Sequence, residues 1–156
     1  MMRISRRSSK RRGSTIVEFV FVALELFFVM FACLEFGRML LVYTNVANAA
    51  KIGLRYAIVH GQERSGAVDT KDGPWTKTSV CAAVVDFAKS GLLNAGLLSA
   101  GCGQTTGTRI QVTPTTVGFA GSVVQVTVVY NYDPFFTAFP GLNVPLGSTA
   151  QGIVTF

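Results

Sequence analysis

The chain has 156 residues, enough for one domain of ordinary size with its own core. Only 14% of them are charged, against roughly 25% in an average soluble domain, so part of the chain is withdrawn from water. Six of the fourteen basic residues are Arg3, Arg6, Arg7, Lys10, Arg11 and Arg12, and the other eight balance the eight acidic residues. The net charge of +6 thus belongs to a short tail, which excludes a nucleic-acid-binding face on the folded part.

In chain order, residues 1–13 are polar and basic, with Ser5, Ser8 and Ser9 among the charges, and read as a leader without fixed structure. A basic tract before an apolar run keeps the N-terminus in the cytoplasm and sends the C-terminal remainder across the membrane. Residues 14–34, STIVEFVFVALELFFVMFACL, are apolar apart from Ser14, Thr15, Glu18 and Glu25. About 20 such residues span a bilayer as a helix, and the expected span is about 14–36.

The helical pattern continues past the membrane. Thr44, Asn48, Lys51 and Arg55 recur as one polar stripe, and Val42, Val46, Ala49, Gly53 and Tyr56 as an apolar one. The small residues Ala49, Gly53 and Ala57 let another element approach closely. One helix is expected over 14–60, roughly 70 Å long at 1.5 Å per residue. Residues 61–156 form the extracytoplasmic domain. It opens with an exposed loop over 61–76, with a turn at Asp72-Gly73-Pro74. A second helix, capped by Thr78 or Ser79, has the apolar face Cys81, Val84, Val85, Ala88 and Leu92, and frays through Gly91, Gly96 and Gly101. Alternating Val/Thr-rich runs predict strands at 108–113, 123–132 and 149–155, with a turn at 118–121. Val124, Val126, Val128, Tyr130 and Tyr132 share one face. The expected fold is α+β: a long helix, a second helix and a three-stranded antiparallel sheet against the long helix.

Cysteines divide by position. Cys33 lies in the apolar run, whereas Cys81 and Cys102 lie 21 apart in the domain and are expected to pair in an oxidising compartment. Glu35 and Arg38, three apart at the outer membrane edge, can pair along the helix. The segment 133–145 holds three Pro and three Phe and reads as an irregular loop between strands. Its Phe135, Phe136 and Phe139 are either a lid folded over the core or a contact surface for a neighbouring subunit or the membrane.

No constellation for catalysis is present. His60 is the one histidine, and sits at a helix end. No Cys/His group has zinc spacing. Gly101-Cys102-Gly103 lacks the Lys of a phosphate loop, and Glu63, Asp69 and Asp72 lack EF-hand spacing. The expectation is a non-enzyme without metal, cofactor, small-molecule substrate or nucleic acid.

The junction Arg11-Arg12-Gly13-Ser14-Thr15-Ile16-Val17-Glu18-Phe19 places a small residue at the end of a basic leader, four residues before Glu-Phe. With Glu35-Phe36-Gly37-Arg38 and Asn48-Ala49-Ala50-x-x-Gly53-x-Arg55-Tyr56-Ala57, it resembles the TadE-like pseudopilins of tight-adherence (Flp) pilus systems. The resemblance is dense over 11–60 and looser toward the C-terminus; Glu25 and Leu54 depart from the family pattern. It implies cleavage between Gly13 and Ser14 by a prepilin peptidase. It also implies a minor subunit of the bacterial inner membrane that helps assemble or initiate the pilus, with other pilins or pseudopilins and the assembly platform as partners. Glu18 then pairs with the new α-amino group of an adjacent subunit, with Phe19 and Glu25 on the assembly helix. The rival reading is an exported, membrane-anchored or lipidated binding module unrelated to pili, with Cys33 as the lipidation site. Met30-Phe31-Ala32-Cys33 fits that poorly, because Phe31 stands where a small residue is expected.

Overall fold

The computed structural model describes the backbone of residues 12–63, 73–91, 93–115, 118–134 and 143–155, and side chains from Thr15 onward. Six elements are arranged in the order α1 (Arg12–Val59), α2 (Lys77–Lys89), α3 (Ala95–Ala100), β1 (Arg109–Thr113), β2 (Val123–Tyr132) and β3 (Val144–Ile153). The fold is α+β, as expected. The chain divides into two compact units, one up to Gly37 and one from Arg38 onward.

The first unit is the N-terminal part of α1. No proline interrupts it, and its backbone bonds are closed within the helix, which leaves only side chains to face the surroundings. The second unit holds the C-terminal part of α1 and all other elements. Here Val42, Val46, Ala49 and Gly53 of the predicted apolar stripe are buried and Tyr56 is half-buried, with Ala57 buried beside them, while Thr44, Asn48, Lys51 and Arg55 lie on the outer side. Gly53 is the point of closest approach. A Cβ there would meet Val84 Cγ2 of α2 at 2.7 Å and Val126 Cγ1 of β2 at 3.1 Å.

The sheet has order β1-β2-β3, with both pairs antiparallel. Val124, Val126 and Val128 are fully buried beneath α1 and α2, and Tyr132 closes the row. The turn before β2 is tied by Ser122 N–H donating to Phe119 O at 3.0 Å.

Three local expectations need correction. The cap of α2 is Thr76, not Thr78 or Ser79. Its hydroxyl accepts from Ser79 N–H, and Ser79 Oγ accepts from Thr76 N–H at 2.8 Å, a reciprocal capping box. The stretch after α2 does not simply fray, because Asn94 Oδ1 accepts from Gly96 and Leu97 N–H and starts α3, which buries Leu98. β3 begins at Val144, five residues before the expected start. Its pairing register includes Pro145 opposite Asn131. Asn131 N–H is turned toward β1, donating to Thr108 Oγ1 at 3.1 Å, so the Asn131–Pro145 pair exchanges no ladder bonds. The proline nitrogen therefore faces away from β2, where no donor is required.

Candidate functional site

The apolar part of α1 is exposed around its whole circumference. Phe19, Phe21 and Leu26 are each about 70% accessible, and Ile16, Leu24, Phe27, Phe28, Leu34 and Phe36 are all exposed. A helix apolar on all faces and unpacked in its own chain belongs in a membrane or against other helices. Among the described residues, one helix is long and apolar enough to cross a bilayer, over Thr15–Val59.

Two carboxylates interrupt this surface. Glu18 and Glu25 are both exposed, and their seven-residue spacing puts them on one face. Glu25 lies about 16 Å along the axis from Ser14 by helix rise. An acidic side chain at the bilayer centre costs roughly 2.5–3.5 kcal/mol on insertion scales, so such residues turn toward protein partners. Neither has an ion-pair partner among the described residues. Gly13 and Ser14 lie in the first turn of α1, which starts at Arg12; their side chains fall outside the described residues. The first turn of a helix lacks half its backbone bonds and opens at little cost.

At the start of the second unit the Arg38 guanidinium carbon stands 5.4 Å from the Tyr132 ring centroid. This cation–π contact fixes the C-terminal end of β2 beside Arg38, a role beyond the pairing with Glu35 that the sequence suggests. Glu35 is half-buried. His60 comes after the last turn of α1, with Nδ1 2.9 Å from Tyr56 O and its ring stacked on Tyr56 at 4.1 Å between centroids.

Cys81 and Cys102 are joined by a disulfide with Cα atoms 6.1 Å apart, and Cys33 is free and exposed. The bridge holds Gly101–Gly103 along β1, where Ile110 N–H donates to Gly101 O and Ile110 O accepts from Gly103 N–H, both at 3.1 Å. A Cβ at Gly101 would collide with Thr108 O, so only glycine lets the two backbones come this near. A groove of about 300 Å³ beside the bridge is lined by Lys77, Ile110, Gln111 and Thr113, among others. These groups include no acid–base pair suited to catalysis. Phe135, Phe136 and Phe139 lie outside the described residues, as do Asp69 and Asp72.

The family model described as TadE-like protein matches residues 13–55. That stretch begins at Gly13 and takes in Glu18, Glu25, Glu35, Arg38 and Gly53. No curated protein and no solved structure matches the chain significantly. Over that stretch the chain is similar to TadE-like proteins, and its apolar N-terminal helix is consistent with a single-pass membrane anchor.

Proposed function

With a TadE-like segment over residues 13–55 as premise, we propose that the chain is a minor pseudopilin that assembles or initiates a tight-adherence pilus. The observation that carries this reading is the exposed apolar helix with Glu18 and Glu25 on one face, in the segment the family model matches. A prepilin peptidase cuts between Gly13 and Ser14. The basic leader stays in the cytoplasm, residues 14–36 span the inner membrane, and the domain from residue 61 lies outside. After cleavage Glu18 is the fifth residue, about 6 Å along the helix from Ser14, near enough to the membrane edge to pair with the α-amino group of a neighbouring subunit. Glu25 meets a polar group of a partner helix deeper in the membrane. Glu35 and Arg38 mark the outer boundary.

Intact-mass measurement and N-terminal sequencing of the protein from the cell envelope test the reading. The expected mature chain starts at Ser14. A chain starting at Cys33 with attached lipid would establish the lipidated-module reading instead. An uncut chain would remove the peptidase from the account.

A further inference from the structure

The groove beside the Cys81–Cys102 bridge holds about 300 Å³, the lower end of the range for small-ligand sites. Its lining contains one charged side chain, Lys77, and one group able to exchange covalent bonds, the bridge sulfur of Cys81. Lys77 is the first residue of α2 and lies one turn before Cys81 on the same helix face. It has no ion-pair or hydrogen-bond partner among the described residues. No acidic residue lines the groove, and the first turn of α2 has none. Cys102 is the more exposed half of the bridge but is not part of the lining, so an approach through the groove reaches Cys81.

Another wall is the outer edge of β1. Asn131 N–H points toward β1, donating to Thr108 Oγ1 at 3.1 Å, so Arg109, Gln111 and Thr113 turn their backbone groups to β2. Ile110 and Val112 turn theirs outward. Those of Ile110 are taken by Gly101 and Gly103, whereas the N–H and C=O of Val112 make no hydrogen bond among the described residues. Gln104 N–H turns back to Gly101 O at 3.2 Å, so the short bridging segment leaves β1 before it reaches Val112. One ladder position is thus open to an extended chain, in the same lining as Cys81 and Lys77. These walls are held without the bridge: α2 by the Thr76–Ser79 capping box, and Gly101–Gly103 by Ile110. The groove therefore has its shape before the two sulfurs are joined.

We propose that this groove is a site of thiol–disulfide exchange, that Cys81 carries the sulfur that exchanges, and that the partner is an extended, cysteine-bearing segment of a thiol–disulfide oxidoreductase. The segment bonds Val112 as a short added strand, which brings its sulfur to Cys81. In closure, the Cys81 thiolate attacks one sulfur of the partner's disulfide, and the partner's other sulfur leaves as a thiolate. The Cys102 thiolate then attacks the Cys81 sulfur, and the partner's remaining sulfur leaves. The chain gives up two electrons and two protons, and the partner takes them up as a dithiol. Reduction runs the same steps backward through the same Cys81-linked intermediate. In both directions the partner's sulfur stands in the groove as a thiolate, leaving or attacking, and Lys77 is the cation that stabilises it.

The bridged, detergent-purified full chain tests this in its folded state. The probe is a reduced C-x-x-C oxidoreductase whose second cysteine is replaced by serine, so that a mixed disulfide persists. N-ethylmaleimide caps the sulfur released. Trypsin cuts after Lys77, Lys89 and Arg109, which puts Cys81 on peptide 78–89 and Cys102 on peptide 90–109. The probe is expected on 78–89 and the cap on 90–109, in about tenfold excess over the reverse arrangement. Lys77→Glu, at an exposed position, slows the exchange by about fivefold or more at low salt and leaves the unfolding transition of Trp75 in place; the loss shrinks as salt is raised. A blocked hexapeptide thiol with a central cysteine loses about fivefold in rate when its backbone nitrogens are methylated. Probe mainly on 90–109, or shared equally by both peptides, would overturn Cys81 as the exchanging sulfur. An unaltered rate for Lys77→Glu, or equal rates for the two hexapeptides, would overturn the groove as the docking site. Every readout is made on purified protein, so none is confused with failure of the pilus reading or of the membrane topology.

Discussion

Gly53 shows how much one missing side chain decides. It sits where α1, α2 and β2 converge, and any Cβ built on it would stand 2.7 Å from Val84. A glycine in a helix interior forfeits about 1 kcal/mol against alanine, so its presence needs a packing reason. Gly53→Leu is expected to destabilise the domain by about 2 kcal/mol or more, because overpacking exceeds the gain in helix propensity. Trp75 is the single tryptophan and is 2% exposed, so its fluorescence during denaturation reads the change directly. Unchanged or raised stability would mean the three elements separate freely at that point. Leu98 is the converse case. It is fully buried from a six-residue helix, and Leu98→Ala is expected to cost about 2–5 kcal/mol.

At the scale of elements, α2 depends on its first turn. Thr76 and Ser79 satisfy each other's backbone N–H groups, and Thr76→Ala should cost about 1 kcal/mol, read as a fall in the Trp75 transition. The long helix and the strands β1 and β2 were legible because their periods, 3.6 and 2, run without interruption. What was not legible depended on subtler partners. Thr76 reads as loop unless Ser79 reaches back to it. Asn94 starts α3 within a stretch whose glycines signal fraying. Pro145 reads as a strand breaker, yet it occupies the one kind of strand position where an N–H has no partner to lose. In the functional segment, Glu18 and Glu25 stand out because charge is rare in an apolar run. Arg38 over Tyr132 joins residues 94 positions apart, and no local pattern announces it.

For the molecule as a whole, the predictions concern maturation and assembly. Gly13→Leu should block leader removal, since a bulky residue replaces a small one at the cut. Immunoblotting after co-expression with the peptidase would show the uncut length, and equal shortening of variant and parent would remove Gly13 from the argument. Glu18→Ala should still insert in the membrane but fail in pilus production; intact pili would show that the carboxylate is dispensable. Replacing Cys102 by Ser should cost the domain on the order of 3 kcal/mol in the chain-entropy view, measured again through Trp75.

The disulfide also imposes an order of events. Cytoplasmic thiols are kept reduced, so on the proposed topology the Cys81–Cys102 bond closes only after the domain has crossed the membrane. Until then, the segment Gly101–Gly103 is held along β1 by the two backbone hydrogen bonds that form its parallel bridge to Ile110. A newly made chain therefore passes through a period in which both margins of its sheet are vulnerable, and export ends that period at one margin. Biogenesis of this protein is then sensitive to the oxidising power of the envelope, quite apart from any pilus. In cells lacking periplasmic thiol oxidation, the chain should be inserted normally and then lost to proteolysis, while an otherwise identical cell retains it.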